Sequence, residues 1–509
     1  MIKLLKRLTV FAVLAILVFA VIGCTDTPDE VVPTYPPDTT DAVTDVMDAE
    51  IIGKRIELEN GCVYSIVNDS YYGIGGETFG TVVGEFADMR GFRGDLDQLF
   101  RAVDNGDGTY KLENLATGLY LSVRGASVKD DAKLLLTVKS GVHAQSWTVY
   151  ENNGKYNIRC AETGTWLTNE KPDDFCKPIM KISQAEATLW SFKKQADADT
   201  EFPKILRLEG DYVGSSSCPE IIKHNGVYYN FNQSGGIVMK MSTDLITWKT
   251  VGSVFNTKPS WIKKELGSDS IWAPGCYKVG DTYRVYYAAS SLGSQNSVIG
   301  MAYADTPAGP FKDGGMVIRS YTGDPYNCID PCIFTDDDGQ TYFIWGSYWT
   351  GIYMRRLDPN TGLLLEGSGE QWHLAQGQGQ MEAPYLIKKD GYYYLFVAMG
   401  NLSKNESYHW TVGRSESLFG PYLDKNGKPM LEDNASRLTA YKPGVQGLAH
   451  AHPFLDDDGQ WYMVGECWQD RSDPNRKVQL HISTIVWNDK GWPVTALSTN
   501  LIDELNGKK

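Results

Sequence analysis

One pattern recurs five times in the second half of this 509-residue chain and limits what that half can fold into. A proline in an apolar setting leads to a short turn and then to a tyrosine-bearing apolar run. The prolines are Pro219, Pro274, Pro331, Pro384 and Pro453, spaced 55, 57, 53 and 69 residues apart. The turns are Asn225-Gly226, Val279-Gly280, Asp338-Gly339, Asp390-Gly391 and Asp458-Gly459, and the tyrosines are Tyr228, Tyr283, Tyr342, Tyr393 and Tyr462. An Asx-Gly pair between apolar runs marks a hairpin, because both residues take positive φ at little cost. Proline is tolerated at the start of a strand and not in its middle. Equivalent hairpins at blade-like intervals predict a five-bladed β-propeller in which each innermost strand starts near the axis. The residues around each proline then converge on one central pocket: Cys218, Trp272, Asp330, Glu382, His450 and His452.

A second repeat precedes the first. Gln98-Leu99-Phe100, Gln145-Ser146-Trp147 and Thr188-Leu189-Trp190 follow one another at 47 and 43 residues. Between them lie two strand–Thr-Gly–strand units, around Thr117-Gly118 and Thr163-Gly164. Three units, each ending in a large aromatic, predict a closed threefold β structure. This resembles the ricin-type β-trefoil lectin domain, whose repeats carry a Gln-x-Trp mark, and the resemblance implies glycan binding. The expected fold class is all-β: a β-trefoil over residues 51–197, then a five-bladed β-propeller over residues 205–503.

The balance of 48 Lys and Arg against 63 Asp and Glu, a net charge of −15, argues against nucleic acid as a partner, since phosphate binding needs clustered cations. Lys3, Lys6 and Arg7 precede an apolar run over residues 8–22, and Val21-Ile22-Gly23-Cys24 resembles a bacterial lipobox. Residues 1–24 are therefore expected to be a lipoprotein signal peptide, with a lipid on Cys24 holding an exported protein to a membrane. Residues 25–50 carry four prolines, many Asp and Thr, and no Lys or Arg, which predicts an extended acidic tether. Most of the eight other cysteines sit in apolar strand-like runs and are expected to be buried free thiols. The acidic turns Asp336-Asp337-Asp338-Gly339 and Asp456-Asp457-Asp458-Gly459 lack the spacing of a calcium loop and are read as solvated.

Residues from about 205 to 500 resemble glycoside hydrolase family 43, and within it the endo-1,5-α-L-arabinanases. The resemblance rests on Ser270-Ile271-Trp272-Ala273-Pro274, Asn327-Cys328-Ile329-Asp330-Pro331, Gly346-Ser347-Tyr348-Trp349, Glu382-Ala383-Pro384-Tyr385 and Val412-Gly413-Arg414-Ser415, in that family's order. It implies an inverting hydrolysis of plant cell-wall arabinan or arabinoxylan, with one carboxylic acid protonating the leaving oxygen and one carboxylate activating water. Glu382 would be the general acid and Asp330 the neighbour that raises its pKa and orients it. Trp272, Asn327, Ser347 and Trp349 would bind substrate. His450 matches the family's axial histidine beside a structural, calcium-like metal ion. No nucleotide, flavin or nicotinamide motif is present, so no organic cofactor is expected.

The sequence departs from that pattern at the base. The family has an Asp directly before the first-blade proline, where this chain has Cys218, and a further Asp where it has Gly275. A thiol is a poor general base. Glu220 lies two residues on, on the same strand face by alternation, and is the candidate substitute. The expected function is a surface-tethered arabinan hydrolase with a changed base. The alternatives are a catalytically impaired glycan-binding protein and a family 43 arabinofuranosidase or xylosidase. The loop Met399-Gly400-Asn401-Leu402-Ser403 departs from the arabinanase pattern and bears on cleft shape.

Overall fold

A computed structural model describes residues 51–79, 83–171, 176–378, 380–401, 407–442, 444–468, 475 and 477–507. The signal peptide and tether expected over residues 1–50 lie outside the described residues, as do Leu402 and Ser403.

The first half is a β-trefoil. Thirteen strands form one network, in which Tyr110–Asn114 pairs both with Phe100–Asp104 and with Tyr120–Val123. Each mark's aromatic is fully buried: Phe100, Trp147 and Trp190. The indoles of Trp147 and Trp190 donate to Leu121 O and Leu167 O, 2.9 and 3.0 Å away, at equivalent places in their units. The glutamines explain the rest of the mark. Gln145 accepts from the Ser140 N–H and donates to Val138 O, five and seven residues back, and Gln98 does the same with Arg93 and Gly91. An amide side chain here supplies the backbone partners that a bent loop lacks. The third mark has Thr188, whose hydroxyl exchanges hydrogen bonds with Thr168 and Asn169 instead.

The second half is a five-bladed β-propeller. Its innermost strands are Ser217–His224, Ile271–Val279, Cys332–Thr335, Met381–Lys389 and Gln446–Leu455, each heading a four-stranded antiparallel blade, the first with a short parallel strand, Glu209–Gly210, added at its outer edge. The ring is closed by the chain that enters it. Leu206 N–H donates to Ile482 O and Leu480 N–H to Tyr212 O, so residues 204–214 run beside the third strand of the last blade, Gln479–Trp487. The Asp-rich turns are not merely solvated. Asp336 accepts from Lys388 and Tyr393 of the next blade at 2.7 and 2.6 Å, and Asp456 accepts from Lys223 and from Tyr228 at 2.6 Å across the closure. Only the later acids of each turn match the solvated reading, Asp337 and Asp457 being exposed.

Trefoil and propeller share a hydrophobic cluster. Val63, Phe79, Leu96 and Leu99 pack with Phe202, Val445, Leu448, Leu497 and Leu501. Within that contact Lys442 Nζ lies 2.5 Å from Asp95 Oδ1, both fully buried. Among the described residues no helix is long and apolar enough to cross a membrane.

Candidate functional site

Four of the five innermost strands carry β-bulges near their prolines. Register breaks fall between Ser217 and Glu220, Ile271 and Pro274, Glu382 and Tyr385, and Ala449 and His452. Cys218, Asp330 and Ala383, each directly before a proline, and His450 all have left-handed backbone, with φ of 48, 56, 53 and 49°. Proline already disfavours helical backbone in the residue before it, and left-handed φ adds strain for any side chain. Four repeats of one strained conformation mark a bulge that re-aims side chains at the axis. All five proline regions line one axial cavity of about 20 Å³, enough for a single water.

Glu382 lies in the innermost strand of the fourth blade, buried. One carboxylate oxygen accepts from Ser347 Oγ at 2.8 Å and the other from the Tyr408 hydroxyl. Burial, and after it the charge of Asp330, push its pKa up to about 7. Asp330, in the third blade, accepts from the Ala383 N–H at 3.0 Å and lies 3.5 Å from His450 Nε2. A carboxyl group that is protonated near neutrality, beside a second carboxylate, is equipped to donate a proton.

Of the other expected binding residues, Trp349 is exposed and Trp272 is half-buried with its indole on Ser270. Ser347 is buried and spends its hydroxyl on Glu382, which makes it a positioning group. Asn327 is also buried, its carbonyl oxygen accepting from Ser297 of the second blade at 2.7 Å, so it ties the entry to the third blade to the second.

At the base position the geometry departs from strand alternation. Cys218 and Glu220 both line the axial cavity, but the bulge between them gives them different neighbours. Glu220 Oε2 lies 3.0 Å from the buried His452 Nδ1, and the His452 ring stacks on Tyr385 at 4.4 Å. Cys218 donates its thiol to Gln233 Oε1 at 3.0 Å, and burial pushes that thiol up to about 12. The carboxylate that meets Cys218 is Glu466, which accepts the Cys218 N–H. Sequence reasoning missed it because Glu466 bears no proline mark. The available signal was an acid in the apolar run Trp461–Trp468, a burial that demands a partner. The other missing Asp has a steric account: a Cβ on Gly275 would lie 2.6 Å from the Tyr277 ring, which fills that space.

The calcium-like ion expected at His450 finds an ill-matched donor set. Calcium takes six to eight oxygens. The groups gathered at His450 are the Cys218 thiol and the Glu466 carboxylate, with Asp330 beside the ring.

Comparison with known proteins follows the two halves. The profile of Glycosyl hydrolases family 43 matches residues 213–493, and that of the Ricin-type beta-trefoil lectin domain-like family matches residues 96–174. The extracellular exo-alpha-(1->5)-L-arabinofuranosidase ArbA of Cellvibrio japonicus is 32% identical over 298 residues, covering 54% of this chain and 84% of the relative. The extracellular endo-alpha-(1->5)-L-arabinanase 1 of Bacillus subtilis is 35% identical over 292 residues, covering 54% of this chain and 86% of that protein. The solved family 43 endo-arabinanase of Bacillus licheniformis superposes with a TM-score of 0.52 at 33% identity, over 57% of this chain and 99% of its own.

Proposed function

Since the chain belongs to glycosyl hydrolase family 43, we propose that this glycoside hydrolase cleaves α-1,5-linked arabinan of plant cell walls by a single, inverting displacement. The relatives' names support the substrate. The observation that carries the chemistry is Glu382, held by Ser347 and Tyr408 and kept protonated by burial and Asp330. Glu382 donates its proton to the glycosidic oxygen as the bond to the anomeric carbon breaks, while water attacks from the opposite face. Asp330 holds the acid's pKa up and fixes the Ala383 backbone next to it. Trp272 and Trp349 offer ring faces for the sugars.

The water is activated at the cluster of Cys218, His450 and Glu466, which occupies the family's base position. Without a bound ion the Cys218 thiol is held protonated by burial, and it is not itself the base. Glu220 faces His452, whereas Glu466 accepts the Cys218 N–H, which argues for Glu466 as the carboxylate of that position. The trefoil holds the enzyme on wall glycan. The protein is exported, in keeping with the extracellular relatives, and tethered by a lipid on Cys24.

The test is digestion of linear 1,5-α-arabinan with the wild type and Glu382→Gln, the products being resolved by chain length. Release of arabino-oligosaccharides or arabinose that vanishes in the variant supports the reading, and the product lengths separate endo from exo action. A second reading is favoured by Cys218 and by the filled space at Gly275. On that reading the protein binds arabinan without cutting it. It predicts retardation on an arabinan affinity gel with no release from either protein.

A further inference from the structure

We propose that Cys218, His450 and Glu466 form a site for a borderline-soft divalent cation of the zinc class, in place of the hard ion that the family resemblance sets at His450. Each residue offers one donor atom, and the three atoms lie within 4.8 Å of one another. Thiolate, imidazole and carboxylate are the ligand types of zinc sites, and three protein ligands leave the fourth tetrahedral position to water. Cys218 and Glu466 are buried, and although His450 is half-buried as a residue both of its ring nitrogens are buried, so all three donor atoms are shielded from solvent.

Three further observations fit the site to a cation. The buried ring nitrogens of His450 face the Cys218 thiol and Asp330 without a close hydrogen bond to either. Asp330 stands 3.5 Å from His450 Nε2, as the outer carboxylate that orients a metal-bound histidine. The Cys218 N–H holds Glu466, which ties two ligands from different blades together. The charges of the ligands also close: a dication meets one thiolate and one carboxylate, and Asp330 stands outside them against the imidazole. Binding releases the thiol proton to solvent. The replacement of Asp by Cys, which removes a base, thereby supplies a soft ligand. On the hydrolase reading, a water in the open position stands where water must be activated. That consequence rests on the proposed function, whereas cation binding does not.

The experiment uses the full chain, stripped with chelator and titrated with zinc and then with cobalt in the absence of any glycan. The expected result is one zinc per chain, a rise in melting temperature on zinc addition, and a thiolate-to-cobalt charge-transfer band. Cys218→Ser removes the band and the melting shift. It weakens zinc binding by more than the roughly 10–100-fold that losing an outer-shell partner costs, and Asp330→Asn weakens it within that range. The melting temperature of the metal-free variants checks that they fold, and Glu466→Gln supplies a second ligand variant if Cys218→Ser does not. A competing cluster of exposed Glu59 and Asp197 with buried Cys62 is excluded by Cys62→Ser, which leaves the band intact. The proposal is overturned if the stripped protein takes up no zinc, if calcium displaces zinc at equal concentration, or if the cobalt band survives in Cys218→Ser. Failure to cut arabinan with zinc bound would sink the hydrolase reading and leave the site standing.

Discussion

Glu382 draws its chemistry from opposing neighbours. Burial and Asp330 raise its pKa to about 7, while hydrogen bonds from Tyr408 and Ser347 favour the carboxylate and pull it down. The acid must be protonated to work, so activity is present below that value and falls as pH rises through it. Asp330→Asn removes the like charge and is expected to move this alkaline limb of kcat/KM to lower pH. Tyr408→Phe removes a bond to the charged form and is expected to move it to higher pH. Shifts in the same direction for both variants would contradict the assignment of Glu382 as acid. At this scale the sequence was legible where the proline repeat marks an axial position, as at Cys218, Asp330 and Glu382. It placed Glu220 with Cys218, and both line the axial cavity, but it did not show that the bulge between them gives them different neighbours, and it was silent on Glu466 and Tyr408. Those two reach the axis from the second and third strands of their blades, or from beside them, where no repeat mark signals an axial side chain.

The hairpins were legible as elements because each needs only local turn chemistry. The contacts between blades were not. The first acid of each Asp-rich turn takes a lysine and a tyrosine from another blade, 52 and 57 residues away for Asp336 and 233 and 228 for Asp456. Nothing local distinguishes such an acid from its exposed neighbours. The two clasps predict unequal mutational cost within one turn. Asp456→Asn leaves Lys223 and Tyr228 poorly matched and is expected to cost about 1–3 kcal/mol. Asp458→Asn, in the exposed turn, is expected to fall within about 0.5 kcal/mol of wild type. Denaturant unfolding of the two variants checks this, and equal costs would reject the clasp.

The whole molecule joins its two folds through a common core. Repeats and marks in the sequence were enough for the order and type of the folds, but Leu96 and Leu99 read as ordinary trefoil core. Their contact with Leu448 and Leu497 becomes visible only once both folds are closed. The buried Lys442–Asp95 pair lies in that contact. Asp95→Asn strands the ammonium of Lys442 and is expected to cost about 3–5 kcal/mol, because an uncompensated buried charge is worse than no pair. Calorimetry of the described region as one chain is expected to show a single transition that this variant lowers. Two separate transitions, with only one affected, would show that the trefoil and propeller melt independently.

The central claim, an inverting arabinan hydrolase working through Glu382, is tested most directly by proton NMR of the reducing end first released from α-1,5-arabinan. Single displacement predicts that the β-anomer forms first and then mutarotates, and that Glu382→Gln releases neither anomer. First appearance of the α-anomer would contradict the account, since retention requires a covalent intermediate and would turn Cys218 from a ligand into a nucleophile.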